Sequence, residues 1–149
     1  MHVDVRWEGI YIRKNAFFPL FVDIYDKKVL VIGNGKIARR RIQTLQSFGA
    51  DVFVISPEIN RKYQPGDIAE INPLFVITAT DDRQVNHDAM MEAKSLSIPI
   101  SVADCQEECT CYFPAIAESE NYIAGLVSKN GNHAGVRRVA ESIRGMLDE

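Results

Sequence analysis

Short apolar runs are spaced along the chain, with helix-forming segments between most of them. The runs are rich in Val, Ile and Phe, and most show no regular polar alternation, as expected for strands buried on both faces of a sheet. The predicted strands are Val29–Ile32, Val52–Ile55, Leu74–Thr80, Pro99–Ala103 and Tyr122–Val127.

The intervening segments have the periodicity of helices. From Lys36 to Phe48 apolar residues recur on one face, and Gly49 ends the pattern. Asp81 and Asp82 favour the start of a second helix, which ends near Ser97. Strands that alternate with helices predict an α/β fold with a Rossmann-like, doubly wound parallel sheet. The apolar stripe of a last helix consists of Val136, Val139, Ala140, Ile143 and Leu147.

A glycine turn joins the first predicted strand to the first helix. Its pattern is G-x-G-x-x-A, in which one glycine makes the turn and the next lets the backbone approach a pyrophosphate. Free N–H groups of the first helical turn then face the phosphates, so the sequence predicts a dinucleotide site. The expected cofactor-binding residues here are Gly33, Asn34, Gly35, Lys36, Ile37 and Ala38.

The end of the second strand is expected to contact the cofactor ribose. An NAD site commonly has an acidic residue near this point, but here the nearest acid, Glu58, follows a proline. We therefore expect backbone contacts from Ser56, Pro57 and Glu58. Arg61 and Lys62 lie in a loop-like stretch, which favours NAD over NADP because a 2′-phosphate requires a nearby arginine.

The third strand ends in small hydroxyl residues. Ligands of open α/β sheets bind beyond the carboxyl ends of the strands. Thr78, Ala79 and Thr80 are therefore expected in the same cofactor crevice.

Composition favours a single domain without a nucleic-acid or membrane partner. The 149 residues have a formal net charge of −3, and 46% of them are hydrophobic, which is ordinary for a globular protein. No apolar run is long enough to span a bilayer. The start of the chain lacks a signal-peptide pattern and the three cysteines are an odd number, so we expect a reducing cytoplasm.

The chain is expected to have three parts. Residues 1–15 are mixed in character and form an arm or a leader. Residues 16–116 form the NAD-binding domain, and its apolar entry segment, Ala16–Asp23, is expected to lie across the edge or floor of the sheet. Residues 117–149 form a short C-terminal segment of strand and helix.

An ordered set of motifs runs from about Phe17 to Arg138. Its segments, in chain order, are Phe18–Asp23, Val29–Ala38, Gly49–Ala50, Ala79–Asp82 with Asn86, Val102–Asp104 and Phe113–Ala115. This ordered set resembles the precorrin-2 dehydrogenase and sirohydrochlorin ferrochelatase family, the NAD-binding part of siroheme synthases.

The resemblance implies NAD-dependent oxidation of a tetrapyrrole, precorrin-2, to sirohydrochlorin. It also implies that Asp104 is catalytic, that Asn86 lies on the cofactor side, and that the C-terminal segment forms a homodimer. Since the chain ends at Glu149, we expect weak or no ferrochelatase activity and no fused methyltransferase. The carboxylates of the substrate are expected to attract basic residues to the crevice, such as Arg39, Arg40, Arg137 or Arg138.

Two alternatives to a dehydrogenase stay open. A non-catalytic NAD-sensing module that controls a partner would have the same glycine turn. Cys105, Cys109 and Cys111 form a thiolate metal site only if a fourth ligand such as His87 or His133 joins them. Their spacing matches no common zinc pattern, so we interpret them as incidental thiols and expect no metal.

Overall fold

Six strands and four α-helices occur in the part of the chain that the computed structural model describes, residues 8–10 and 16–147. A short 3₁₀ helix, Gln106–Glu108, follows the fourth strand. The elements are β1 Lys28–Ile32, α1 Lys36–Ser47, β2 Asp51–Ile55, α2 Asp67–Ile71, β3 Phe75–Thr78, α3 Arg83–Ser95, β4 Ile100–Val102, β5 Ala115–Glu118, β6 Ile123–Leu126 and α4 His133–Leu147.

The main sheet is parallel, with the strand order β2-β1-β3-β4. Its register pairs Ile32 of β1 with Ile55 on one side and with Thr78 on the other, and Thr78 in turn with Val102. The chain moves to one side of β1 and then returns to its other side, so the topology reverses between β1 and β3. Open α/β sheets bind ligands at such a reversal.

Both faces of the sheet are covered by helices. Alternate side chains of β1 point to opposite faces, so each face is apolar and packs against a helix. Val29 and Val31 pack with Ala38 and Leu45 of α1. On the other face the core contains residues of β1, α2 and α3, namely Leu30, Ile32, Ile68, Ala89, Met90 and Ala93. The expected doubly wound, Rossmann-like arrangement is therefore present.

The C-terminal strand predicted from sequence does not extend the main sheet. It is β6, which pairs antiparallel with β5 in a separate two-stranded sheet, and α4 packs on this pair. The boundary drawn between residues 116 and 117 falls inside β5. The C-terminal segment therefore begins with a hairpin, of which the sequence pattern indicated only the second strand.

Helix α2 was not predicted, because it has only five residues and its N-terminus is capped from elsewhere in the fold. The carboxylate of Glu92, on α3, accepts hydrogen bonds from the N–H groups of Gly66 and Ile68. Isolated helices of this length are unstable, so tertiary contacts are needed to form one.

The apolar entry segment leaves most of its side chains exposed. Phe18 is 84% exposed, and Leu20 and Phe21 are also exposed. Phe17 stacks on Tyr112, with 4.0 Å between the ring centroids. The predicted arm or leader, residues 1–15, lies outside the described residues except for residues 8–10. Over the described parts of the chain, no helix combines the length and the apolar character needed to cross a membrane.

The turn after β1 depends on a glycine. Gly33 has a φ of +122°, a conformation that L side chains rarely adopt, and a Cβ at this position would collide with the carbonyl group of Ala79. Gly35 has a φ of −73° and open space where its Cβ would lie. The two glycines of the motif therefore serve different purposes, and only the first is required by the fold.

The substitution Gly33→Ala should lower the free energy of unfolding by about 2–4 kcal/mol, because it combines a left-handed backbone with a backbone clash. Urea unfolding followed by circular dichroism measures this loss. The matched variant Gly35→Ala should stay within about 1 kcal/mol of the parent protein, since its added methyl group meets no atom. Equal losses in the two variants would contradict this account of the turn.

Candidate functional site

The carboxyl ends of the four parallel strands form one continuous edge. Hydrogen bonds extend the strand ladder by one residue there: Gly33 N–H donates to the Ile55 carbonyl oxygen (2.9 Å), and Ala79 N–H donates to that of Ile32 (2.8 Å). Ala103 N–H likewise donates to the Thr78 carbonyl oxygen (2.9 Å). The glycine turn, the end of β3 and the end of β4 are therefore brought side by side.

The glycine turn leads directly into α1. The first hydrogen bond of this helix runs from the Arg39 N–H to the Gly35 carbonyl oxygen (2.9 Å), so the N–H groups of Lys36, Ile37 and Ala38 have no partner within the helix. Ala38 is fully buried against the sheet. A pyrophosphate above Gly35 would meet open space and the positive end of the helix dipole, so this cradle fits a dinucleotide.

Asn86 is buried and holds the loop that follows β3. Its Oδ1 accepts hydrogen bonds from the Thr78 hydroxyl (2.6 Å), the Thr80 hydroxyl (2.8 Å) and the Thr80 N–H (3.2 Å), and its Nδ2 donates to the Thr80 carbonyl oxygen (3.0 Å). The Thr78 side chain thus lies in the core, whereas Ala79 and Thr80 lie at the crevice. Asn86 therefore fixes the backbone of this wall of the crevice from a buried position.

Ser56, Pro57 and Glu58 follow β2 on the other side of the glycine turn. The Ser56 hydroxyl donates to the Glu58 carboxylate, and this hydrogen bond lowers the pKa of Glu58. The side chain of Glu58 therefore folds back toward the strand end despite the intervening proline. A carboxylate is thus present near the position where an NAD site commonly has one.

Asp104 follows β4 and forms an ion pair with Arg83 at the start of α3. Arg83 Nη1 lies 2.5 Å from Asp104 Oδ1, and its Nη2 bonds to Glu108. Glu108 in turn lies 2.8 Å from His87 Nδ1, and this contact lowers the pKa of Glu108. Asp104 stays partly exposed, at 38%, so it remains accessible to a ligand while Arg83 fixes its orientation.

The β4 strand lies two positions from β1 in the sheet. The end of β4, which precedes Asp104, is therefore about 10 Å from the glycine turn along the sheet edge. This separation suits a dinucleotide whose pyrophosphate lies over the turn and whose reactive ring extends toward β4. The arginine that meets Asp104 is not one of the four predicted from sequence. Arg83 and His87 follow the cap Asp82 and lie four residues apart on α3, so they share one face of this helix. This spacing is the sequence signal that could have indicated them.

The three cysteines are free thiols. Within the described residues no group of three or more His, Cys, Asp or Glu side chains is placed to hold a metal ion. The Cys109 thiol bonds the backbone of Val102, and burial raises the pKa of Cys111 to about 12. A thiol with such a pKa is a poor metal ligand, since metals bind the thiolate.

The side chain of Arg41, on α1, contacts the segment that follows β4. Its guanidinium stacks over the Phe113 ring at 5.1 Å, and burial lowers its pKa. This side chain therefore joins the helix to the chain segment that leads to the hairpin. The adjacent Arg39 and Arg40 are exposed.

Comparison with known proteins gives one family. A model of the protein family described as "Putative NAD(P)-binding" matches residues 20–115, more than half of the chain. The "Probable multifunctional siroheme biosynthesis protein HemA" of Ruminiclostridium josui is 45% identical, over 85% of this chain and 28% of its own length. The siroheme synthase of Psychrobacter arcticus is 34% identical, over 76% of this chain and 23% of its own length.

The chain therefore spans about a quarter of the length of these curated relatives. Among solved structures, the precorrin-2 dehydrogenase SirC aligns with a TM-score of 0.67 and 22% identity, over 87% of this chain and 70% of its own. This likeness shows the Rossmann-like fold. The family resemblance and the Rossmann-like fold are confirmed, and the family model supports a cofactor of the NAD(P) type.

The substitution Gly35→Ala should weaken NAD binding by about tenfold or more without unfolding the protein, because the methyl group occupies the space where a pyrophosphate approaches the backbone. Isothermal titration calorimetry with NAD⁺ measures the affinity. Gly145→Ala, at an equally open position on α4, is the matched control and should leave the affinity unchanged. Unchanged affinity in Gly35→Ala would contradict the assignment of the cradle.

Proposed function

Because the chain belongs to the NAD(P)-binding family that matches residues 20–115, we propose that it is an NAD-dependent dehydrogenase acting on precorrin-2. The observation that supports this best is the shared edge at which the open Gly35 cradle and the ion-paired Asp104 lie two strands apart. Relatives named for siroheme biosynthesis support the tetrapyrrole as substrate, and the product would be sirohydrochlorin.

The reaction removes a hydride and a proton from the substrate. Bound NAD⁺ supplies the hydride acceptor. The Gly33–Ala38 segment would hold the pyrophosphate, and the loop fixed by Asn86 would form the wall beside the nicotinamide. Asp104 would accept the proton, and Arg83 keeps its carboxylate in one orientation. The protein thus contributes mainly position, since the redox chemistry belongs to the cofactor.

The substrate is rich in carboxylates, so binding requires positive charge close to the crevice. Arg83 is the arginine that meets Asp104, and it is 45% exposed. A guanidinium has five donors, and Arg83 uses two of them on Asp104 and Glu108, so donors remain for an approaching carboxylate. Arg83 therefore has the geometry to orient Asp104 and to attract the substrate.

We also propose a homodimer formed by the C-terminal segment, in the cytoplasm. An exposed apolar surface supports this assembly, because such patches mark protein contacts. Three free cysteines agree with a reducing compartment. The exposed apolar side chains of this segment are Tyr122, Ile123, Val127, Val139 and Met146.

Anaerobic incubation of the protein with precorrin-2 and NAD⁺ should yield sirohydrochlorin and NADH in equal amounts. Asp104→Asn should lower kcat by about 100-fold or more, because it removes the proton acceptor, while NAD⁺ affinity stays within twofold of the parent value. Absorbance of both products gives the rate. Glu107→Gln, an exposed neighbour, is the control and should retain full activity.

Absence of both products would exclude the dehydrogenase. If NAD⁺ still binds in that case, the protein is the NAD-sensing module considered from the sequence. Turnover that survives in Asp104→Asn would exclude this residue as the proton acceptor.

Val139→Asp should convert the dimer into a monomer, because a charge in an apolar contact loses its hydration without gaining a partner. Sedimentation velocity measures the mass. Met91→Asp, which changes another exposed apolar side chain, on α3, should leave the dimer intact. A monomeric parent protein would contradict the assembly.

A further inference from the structure

The loop that follows β4 brings two carboxylates to one arginine. Asp104 lies near the start of this loop, and Glu108 ends the short 3₁₀ helix, where its N–H donates to the Cys105 carbonyl oxygen (3.2 Å). This tight turn directs both acidic side chains toward α3. Arg83, the first residue of α3, contacts each of them, so two negative charges share a single guanidinium.

The turn that carries Glu108 is fixed to the end of β4 by the Cys109 thiol. Its sulfur accepts a hydrogen bond from the Val102 N–H (3.1 Å) and lies 3.3 Å from the Val102 carbonyl oxygen. The same sulfur lies 3.6 Å from the Cys105 carbonyl oxygen. Because Cys109 follows Glu108 directly, these contacts hold the backbone of Glu108 beside the strand end.

Each oxygen of the Glu108 carboxylate has its own partner. Oε1 lies 2.8 Å from His87 Nδ1, and Oε2 bonds Arg83 Nη2. The hydrogen bonds from His87 and Arg83 lower the pKa of Glu108, so this carboxylate is ionised and accepts at both oxygens. His87 Nδ1 must then carry the proton of its bond. The Glu108 side chain is 19% exposed, which shields both contacts from water.

The contact of Asp104 with Arg83 uses only one carboxylate oxygen. Nη1 lies 2.5 Å from Oδ1, and no hydrogen bond from the described part of the chain reaches Oδ2. Arginine frequently binds a carboxylate with two parallel N–H groups, one for each oxygen. Here the two terminal nitrogens are divided between Asp104 and Glu108, so neither acid receives that pair.

We propose that Glu108 is a positioning residue that keeps Arg83 Nη2 away from Asp104, which leaves Asp104 Oδ2 free to accept the substrate proton. The inference rests on the proposed dehydrogenation, in which Asp104 is the proton acceptor. A second hydrogen bond from the same guanidinium would stabilise the charged carboxylate and make it a weaker base. It would also cover the oxygen that has to meet the substrate. Glu108 thus acts on the reaction through Arg83.

Anaerobic steady-state kinetics with precorrin-2 and NAD⁺ test this role. Glu108→Gln removes the charge that holds Nη2, so Arg83 should close onto both oxygens of Asp104 and lower kcat by about tenfold or more. The KM for precorrin-2 and the NAD⁺ affinity should stay within about twofold of the parent values. Glu107→Gln, which changes the adjacent exposed acid, is the matched control and should keep the parent kcat.

A combination with Arg83→Lys separates this role from simple support of the fold. A lysine ammonium is a point charge that cannot form the two-nitrogen pair. The double variant Glu108→Gln with Arg83→Lys should therefore have a higher kcat than Glu108→Gln alone. If the ion pairs only supported the fold, the two losses would multiply instead.

Two further measurements keep the proposal open to contradiction. Arg83→Lys alone should raise the KM for precorrin-2, because it has fewer donors for substrate carboxylates, and should lower kcat by less than about threefold. This variant tests the proposal even if Glu108→Gln does not fold. A crystal structure of folded Glu108→Gln should show Nη1 and Nη2 of Arg83 each on one oxygen of Asp104, a readout that is independent of activity.

A folded Glu108→Gln variant with the parent kcat, or with Arg83 still on one oxygen of Asp104, would overturn the proposal. So would a double variant no faster than Glu108→Gln, or a tenfold loss of kcat in Arg83→Lys alone. In each of these cases, parent turnover that is lost in Asp104→Asn would keep the proposed reaction. Absence of turnover in the parent protein, or turnover that survives in Asp104→Asn, would exclude this inference together with the proposed role of Asp104.

Discussion

Backbone hydrogen bonds across the carboxyl edge of the sheet align the whole candidate site. The ladder continues one residue past the strands, from Ala103 to Thr78, from Ala79 to Ile32 and from Gly33 to Ile55. Each of these bonds ties the start of one loop to the end of the neighbouring strand. Buried backbone groups must be paired, so the loops cannot move apart without losing these bonds. A glycine at position 33 makes this arrangement possible, because a side chain there would collide with the Ala79 carbonyl group.

Single polar side chains fix two loops at this edge and the start of α2. Asn86 shapes the loop after β3, Asn60 shapes the loop after β2, and Glu92 caps α2 from the neighbouring helix. All three bond backbone groups that regular structure leaves without partners. The cost of leaving such groups unpaired explains how short, irregular segments keep a defined geometry.

Two arginine–carboxylate pairs differ in their exposure. Arg83 holds Asp104 at the crevice, and Arg61 binds Asp67, the first residue of α2. In both pairs an arginine fixes an acid, but the consequences differ. Asp104 stays accessible while its orientation is set, whereas Asp67 is shielded and occupies both terminal nitrogens of Arg61.

Local patterns in the amino-acid order were enough to predict the parallel sheet, helices α1 and α3, the cap at Asp82 and the glycine cradle, because each depends on residues close together in the chain. They did not predict α2, β5 or the partner of Asp104. Glu92 caps α2 from 24 and 26 residues away, and Arg83 meets Asp104 across 21 residues. Contacts at such separations exist only once the sheet has brought the segments together, since no local periodicity encodes which distant side chain completes a helix end or an ion pair.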